Sequence, residues 1–249
     1  MRLDQQLATY RDSLIWLDRM VRSERLELLD TSTDRRITDR VINDIERISR
    51  IVGLKDILVK KIAHHLNALT ESENYSPRVA EICCGNGWVL RALDQYLMQR
   101  GVDAELVGLD INAESLRTAA TRSPGRQIRW EQADALTLPM PDQSIDLIIN
   151  VQSLHHFSPG QVVRLMQEAV RAARCAYFFD LRRTLYGWLI VRALRSIASR
   201  EFVHDASLSH RRAYNVEELR MIAQAAGVKV QIGNLTPIGL EIVIERARP

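Results

Sequence analysis

Cysteine, lysine and long apolar runs are all scarce in this chain. Only three of its 249 residues are cysteine, and Cys83 and Cys84 are adjacent; this excludes a disulfide framework and favours a reducing compartment. No cysteine–histidine spacing resembles a structural zinc site, so we expect no metal. The 34 basic residues, four of them lysine, exceed the 31 acidic ones by a net charge of +3. This excess is too small to demand nucleic-acid binding.

The apolar segments are short and interrupted by charge. Charged residues recur every few positions in MRLDQQLATYRDSLIWLDRM, which excludes a signal peptide. The most apolar later stretch, LYGWLIVRALRSIA, contains Arg192 and Arg195 and is too short to span a bilayer. We therefore expect a soluble cytoplasmic protein.

Residues 1–70 have apolar side chains at three- and four-residue steps, a pattern that predicts helices. The polar segment TESENYSP (70–77) ends in proline and is the best candidate boundary. We therefore divide the chain into an N-terminal helical extension or lid over residues 1–76 and a second domain over residues 77–249.

After Pro77, short apolar runs alternate with amphipathic stretches. The predicted strands, in chain order, are RVAEICC, ELVGLD, QIRWEQ, SIDLIINV, CAYFFDL, VKVQIGN and LEIVIER. Their alternation with predicted helices indicates an α/β fold with a doubly wound, mostly parallel seven-stranded sheet. Only LTPIG separates the last two strands, which predicts a C-terminal antiparallel hairpin. A helical insertion is expected at about residues 183–212.

The first of these strands leads into a glycine-containing turn before a helix. Gly85 and Gly87 lie in this turn, and glycine there allows a ligand to approach the backbone closely. The next strand ends in Asp110, 23 residues beyond Gly87. A carboxylate at that spacing can accept hydrogen bonds from both hydroxyls of a ribose. Together these features indicate a nucleoside ligand.

Two kinds of nucleoside site compete for this pattern. A dinucleotide fingerprint requires a third glycine where Leu90 stands. The segment Glu81-x-Cys83-x-Gly85-x-Gly87 instead resembles the first motif of class I S-adenosylmethionine (SAM) methyltransferases, acidic-x-Gly-x-Gly-x-Gly, with Cys83 in place of the first glycine. GLDIN (108–112) resembles the second motif of that family.

The resemblance extends over roughly residues 78–248. QADALTLPMPDQSIDLIIN (132–150) is similar to the Asp-Ala…Leu-Pro…Pro-Asp-x-Ser-Phe-Asp segment of the family, and VQSLHHF (151–157) to the quinone-biosynthesis group called methyltransferase type 11. More loosely, DLRR (180–183) and the Arg211–Tyr214 segment resemble bacterial methyltransferases of polyketide-type pathways. The resemblance implies a Rossmann-like fold that binds SAM.

The same resemblance implies roles for individual residues. Asp110 would lie at the ribose, Asp134 and Ala135 beside the adenine, and Asn150 near the methionine part. Ile111, which follows Asp110, would also contact the cofactor. The first-motif residues would form the loop around the cofactor, with Glu81 orienting that loop or meeting the methionine amino group; they are Glu81, Cys83, Gly85 and Gly87.

His155 and His156 follow the fourth strand and are the candidate catalytic residues. An oxygen nucleophile can need a base, and imidazole titrates near physiological pH. The alternative is that one or both histidines shape the loop by hydrogen bonding. We expect His156→Ala to lower turnover far more than SAM affinity.

The insertion contains interleaved arginines and apolar residues. It is interpreted as a lid over an apolar or anionic acceptor, as a membrane-surface or lipid contact, or as a packed helix with a solvated face.

The leading functional hypothesis is SAM-dependent O- or C-methylation of a small phenolic, quinone-like or polyketide-like acceptor. The alternatives are an RNA or protein methyltransferase, a non-catalytic protein of the same fold, and an NAD-binding protein.

Overall fold

The computed structural model describes residues 2–13, 22, 23, 25, 27, 28, 34–69 and 75–246. Its strands are β1 (Arg78–Ile82), β2 (Glu105–Asp110), β3 (Ile128–Gln132), β4 (Ile145–Val151), β5 (Ala173–Leu181), β6 (Val228–Thr236) and β7 (Gly239–Arg246). Its helices are α1 (Leu3–Ser13), α2 (Arg35–Ile51), α3 (Leu54–Leu69), α4 (Trp88–Met98), α5 (Ala113–Thr121), α6 (Pro159–Ala172), α7 (Leu185–Ala193), α8 (Arg200–Arg212) and α9 (Val216–Ala226).

The seven strands form one sheet in the order β3-β2-β1-β4-β5-β7-β6. The first five strands are parallel to one another, whereas β7 runs antiparallel to both β5 and β6. The predicted α/β class, the mostly parallel sheet and the C-terminal hairpin are therefore confirmed. Because the strand order reverses between β1 and β4, a crevice is expected beyond their carboxyl ends.

Helices cover both faces of the sheet. Alternate residues of β1 divide between two apolar clusters, because successive side chains of a strand point to opposite faces. Ala80 and Ile82 pack with α1, α6 and α9, whereas Val79 packs with α3 and α4. Strand β4 is buried along its whole length, which agrees with its near-continuous apolar sequence.

The N-terminal helices are joined to this core rather than separated from it. Leu7 of α1 belongs to the apolar cluster on one face of the sheet, and Leu58 and Ile62 of α3 to the cluster on the other. Asp34 caps α2 by accepting a hydrogen bond from the Arg36 N–H. Residues 14–21 of the predicted helical region and most of the polar boundary segment lie outside the described residues.

The insertion consists of two helices, not one amphipathic helix. Helix α7 is followed by a short 3₁₀ turn, Leu194–Ser196. Helix α8 is then capped by Ser199, whose hydroxyl accepts a hydrogen bond from the Phe202 N–H. Helix α9 begins with a capping box formed by Asn215 and Glu218. Among the described residues, no helix has the length and apolar character needed to cross a membrane.

Candidate active site

A cleft of about 570 Å³ opens where β1, β2 and β4 end. Eight of the eleven predicted site residues line it: Glu81, Cys83, Gly85, Asp110, Ile111, Asp134, Ala135 and His156. Helix α2 supplies a further wall through Thr38, Ile42 and Ile45. The sequence predicted a helical lid in this part of the chain without identifying these residues.

The loop after β1 has the conformation that its glycines suggested. Gly85 and Gly87 have φ angles of +53° and +72°, which glycine adopts without steric cost. Cys83, at the position of the missing first glycine, has a φ of +56°. It therefore occupies a left-handed conformation that is uncommon for a residue with a side chain. A Cβ at Gly85 would meet no atom within 4 Å, so the loop is open to a ligand there.

The Trp130 side chain on β3 supports this loop. A Cβ at Gly87 would lie 2.2 Å from the Trp130 ring, and a Cβ at Gly108 would lie 2.3 Å from it. The two glycines thus allow the indole to pack directly against the backbone of the loop and of β2. Gly87 begins α4 behind the loop and does not line the cleft. Sequence reasoning missed Trp130, because no motif marks it.

Asp110 is held in place by backbone groups. The Gly85 N–H donates to one carboxylate oxygen, with 2.8 Å between N and O, and the Asn112 N–H donates to the other at 2.8 Å. The Asn112 side chain in turn caps α5. The carboxylate is therefore oriented at the cleft, and each oxygen keeps acceptor capacity for a further donor.

Asp134 and Ala135 line the cleft from the turn after β3. Asp134 is exposed and accepts a hydrogen bond from the Leu136 N–H at 2.9 Å, whereas Ala135 is buried. This arrangement leaves a carboxylate at the rim of the cleft and a small apolar surface inside it.

Glu81 brings a buried carboxyl group to the cleft. Only 2% of its surface is exposed. Burial raises the pKa of Glu81 well above its ordinary value, and neighbouring Asp110 raises it further; the Leu90 N–H and Arg91 act in the opposite direction. Among the described residues, Oε2 of Glu81 has no hydrogen-bond partner. A buried acceptor of this kind favours a donor from a ligand.

Burial also lowers the reactivity of the two adjacent thiols, Cys83 and Cys84. It raises the pKa of Cys83 to about 12 and that of Cys84 further. Because the thiolate is the reactive form, both thiols are inert packing groups at neutral pH.

Asn150 lies behind the cleft and does not line it. Its side chain is fully buried and donates to the Ile82 carbonyl at 3.0 Å and to the Ser153 hydroxyl at 2.6 Å. It therefore ties the end of β1 to the turn after β4.

The two histidines have different surroundings. His156 lines the cleft, whereas the side chain of His155 is buried behind it. Nδ1 of His155 lies 2.7 Å from Oδ1 of Asp180, and the His155 backbone N–H donates to Oδ2 at 2.9 Å. The two imidazole centroids are 4.4 Å apart. Asp180 therefore fixes the ring on which His156 packs.

Glu27 completes this cluster from the N-terminal segment. Its Oε1 atom lies 3.5 Å from Nε2 of His155 and 3.6 Å from Nη1 of Arg212. Ligand-type atoms of Glu27, His155 and His156 all lie within 4.8 Å of one another, so the trio could hold a divalent ion. Arg212 already supplies a positive charge beside the carboxylate. Sequence reasoning missed Glu27, which belongs to no motif, and it placed Arg212 in a segment of family resemblance without assigning it a contact.

Known proteins resemble the chain in sequence over this site. Residues 79–175 match the family model of a methyltransferase domain. A fatty-acid O-methyltransferase of Mycolicibacterium smegmatis is 30% identical over 102 residues, which is 41% of this chain and 35% of that protein. A phthiotriol/phenolphthiotriol dimycocerosates methyltransferase of Mycobacterium tuberculosis is 29% identical over 132 residues, 50% of this chain and 47% of that protein. The match thus spans less than half the length of either relative.

Solved structures share the fold. A SAM-dependent methyltransferase from Aquifex aeolicus has a TM-score of 0.53 and 16% identity, with 72% of this chain and 86% of that chain covered. The plantazolicin methyltransferase BpumL, in complex with a monoazolic desmethylPZN analog and SAH, has a TM-score of 0.68 at 13% identity and covers 99% of both chains. The second likeness therefore includes the N-terminal helices.

Proposed function

Because this chain carries a class I SAM-dependent methyltransferase domain, we propose that it transfers a methyl group from SAM to an oxygen or carbon atom of a small-molecule acceptor. The cleft carries this proposal. It has carboxyl groups for a nucleoside and an ammonium group along one side, and an imidazole, His156, at another point of its wall.

The residues of the cleft fit the parts of SAM. Asp110, held by two backbone N–H groups, is suited to accept the ribose hydroxyls. Asp134, Ala135 and Ile111 would enclose the adenine. Gly85 leaves open space beside the loop, and the unpaired oxygen of Glu81 is suited to the methionine ammonium group. When bound, SAM supplies an activated methyl group on its sulfonium.

The remaining task of the chain is to align the acceptor and exclude water, since in-line displacement depends on orientation. We propose that α2 covers the acceptor and that His156 takes the proton from an acceptor hydroxyl. His155 and Asp180 would act as positioning residues, because they hold the ring behind His156. The pair of Glu27 and Arg212 would fix the N-terminal segment against this wall.

The proposed reaction gives each part of the chain a role. Residues 1–76 would act as the cover of the cleft, and residues 77–249 as the cofactor domain, with residues 183–212 bordering the acceptor. One relative is named for a fatty acid, so a lipid-like acceptor joins the phenolic, quinone-like and polyketide-like classes.

Calorimetric titration of the purified chain with SAM and with S-adenosylhomocysteine tests the cofactor assignment. We expect micromolar dissociation constants for both and no binding of NAD at the same concentrations. Acceptors of the four classes are then screened by mass spectrometry for a gain of one methyl group. A folded chain that binds neither adenosyl ligand would contradict the proposal.

Glu81 provides a pH test of the cofactor contact. Its raised pKa favours the protonated carboxyl group in the free chain, whereas an ammonium ligand favours the carboxylate. Binding would therefore release a proton, and SAM affinity should rise with pH by up to ~10-fold per unit through that pKa. Calorimetry in buffers of different ionisation enthalpy measures this proton release.

Glu81→Gln should bind SAM more weakly and without the proton release, because glutamine cannot ionise. An unchanged pH dependence in this variant would mean that another group is responsible.

A further inference from the structure

Helix α7 presents three different faces along its length. Gly187 and Val191 are buried, and Trp188 and Arg192 line a pocket shared with α8. The third face carries Tyr186, Leu189 and Ile190, which are 46%, 55% and 42% exposed. The 3.6-residue period of a helix places these three side chains together. Ile197, beyond the 3₁₀ turn, is also exposed at 44%.

The orientation of this apolar face is fixed. A Cβ at Gly187 would lie 2.3 Å from the His210 ring of α8, so the two helices meet at glycine with no room to rotate. At the first turn, the Tyr186 hydroxyl donates to the Pro237 carbonyl at 2.6 Å. The exposed side chains are therefore held outward.

Positive charge is concentrated beside this face. The pocket between α7 and α8 has a volume of about 370 Å³. Five arginines line it: Arg25, Arg192, Arg195, Arg200 and Arg211. No carboxylate is among the described residues that line it.

The two acidic residues of α8 already have partners. Glu201 pairs with Arg40, with 3.1 Å between the charged atoms, and Asp205 is buried and accepts the Leu28 N–H at 2.8 Å. Among the described residues, no ion pair joins Arg195 or Arg200 to a carboxylate. The positive charges of Arg195 and Arg200 are thus left for an external anion.

We propose that the α7 surface, defined as Tyr186, Leu189, Ile190 and Ile197 with the five arginines of the pocket, docks on a lipid bilayer that contains anionic phospholipids. An outward apolar face flanked by arginine is the arrangement by which a helix lies in a membrane interface. A second copy of the chain is a poorer occupant, because ten arginines would then face one another. A soluble anion is also a poorer occupant, because it would not cover the exposed apolar face.

The idea that the α7 surface delivers a lipid-like acceptor rests on the proposed function. Docking of this surface on a bilayer does not require catalysis. Helix α8 links the two regions, since Arg211 lines the pocket and Arg212 donates to the His156 carbonyl at 3.3 Å. An acceptor extracted at the α7 surface would therefore reach the cleft across α8.

Vesicle flotation tests the docking. We expect the chain to float with vesicles of phosphatidylcholine and phosphatidylglycerol and to bind pure phosphatidylcholine vesicles much more weakly. Salt at about 0.5 M should release the chain from the anionic vesicles, because charges are strongly screened at that ionic strength. Failure to float with the anionic vesicles at low salt would overturn the proposal.

Matched variants separate the surface from overall charge. Arg195→Gln/Arg200→Gln should weaken partitioning by ~25-fold, since each arginine near an anionic surface is worth roughly 5-fold. Arg117→Gln/Arg220→Gln changes the net charge equally at arginines 68% and 62% exposed on other helices, and should retain most of the binding. Equal losses in the two variants would overturn the proposal.

The apolar contribution has its own pair of variants. Leu189→Ser/Ile190→Ser should lower partitioning at least 10-fold, whereas Ile51→Ser/Val52→Ser, at side chains 60% and 55% exposed at the end of α2, should not. The parent chain could instead be a dimer on gel filtration that binds no vesicles, with the dimer lost in Leu189→Ser/Ile190→Ser. That result would assign the surface to self-association and refute lipid docking. SAM titration of the same samples shows separately whether the cofactor site is intact.

Discussion

Replacing Asp110 by asparagine is expected to weaken SAM binding by about 100-fold, measured by calorimetric titration. Hydrogen bonds to a charged acceptor contribute ~1.5–3 kcal/mol each, and two ribose hydroxyls would bind the carboxylate. The variant also turns an amide NH₂ toward either the Gly85 N–H or the Asn112 N–H, both of which now donate to carboxylate oxygens. Two donors would then face each other, and the glycine loop would lose part of its support.

Glu105→Gln is the matched control for this variant. Glu105 begins the same strand at its opposite end, with its side chain 56% exposed beside Arg78, so its neutralisation should leave SAM affinity within about twofold, as surface charges contribute little. Far-UV circular dichroism and thermal unfolding establish that both variants are folded. Wild-type affinity in folded Asp110→Asn would remove the ribose contact from the proposal.

The features of the cleft that the sequence predicted are local ones. The strand–turn–helix pattern fixed the place of Gly85 and Asp110, because a parallel strand ends where the next loop begins and the carboxyl ends of neighbouring strands meet at one edge. The caps at Asn112 and Asn215 are local in the same way, because their side-chain oxygens accept hydrogen bonds from backbone N–H groups two and three residues ahead.

The features that escaped prediction depend on contacts distant in sequence. Trp130 supports the glycine loop because two glycines on other segments leave space for its ring. Glu27 contacts His155, which is more than a hundred residues away in the sequence. Arg212, still further along the chain, also contacts Glu27. Periodicity predicts which face of a helix is apolar, but it does not predict which partner that face meets.

The two histidines illustrate the same limit. Their place after β4 could be predicted, but their division of roles could not, since adjacent residues in a short 3₁₀ turn point in different directions. Asp180 lies at the end of β5, and only the structure shows that it contacts His155.

His156→Ala is expected to lower turnover by ~100-fold or more while SAM affinity changes by less than threefold, because general-base catalysis contributes ~10²–10⁴-fold. The ring lines the cleft, whereas the contacts to Asp110 and Glu81 that would hold the cofactor lie elsewhere. Turnover is measured at saturating SAM by mass spectrometry of the methylated product of whichever acceptor the screen identifies. His64→Ala, at an exposed histidine on α3, serves as the control and should retain full activity.

His156→Gln distinguishes a base from a group that only shapes the turn. Glutamine can hydrogen-bond but cannot take a proton near neutral pH, so a base requires the glutamine variant to be nearly as slow as the alanine variant. A structural role would instead restore turnover in His156→Gln. His155→Gln and Asp180→Asn should have intermediate effects, since these residues lie behind His156 and act on its orientation rather than on the acceptor. Wild-type turnover in His156→Ala would exclude the histidine from the chemistry and favour acceptors that ionise without help, such as acidic phenols or carboxylates.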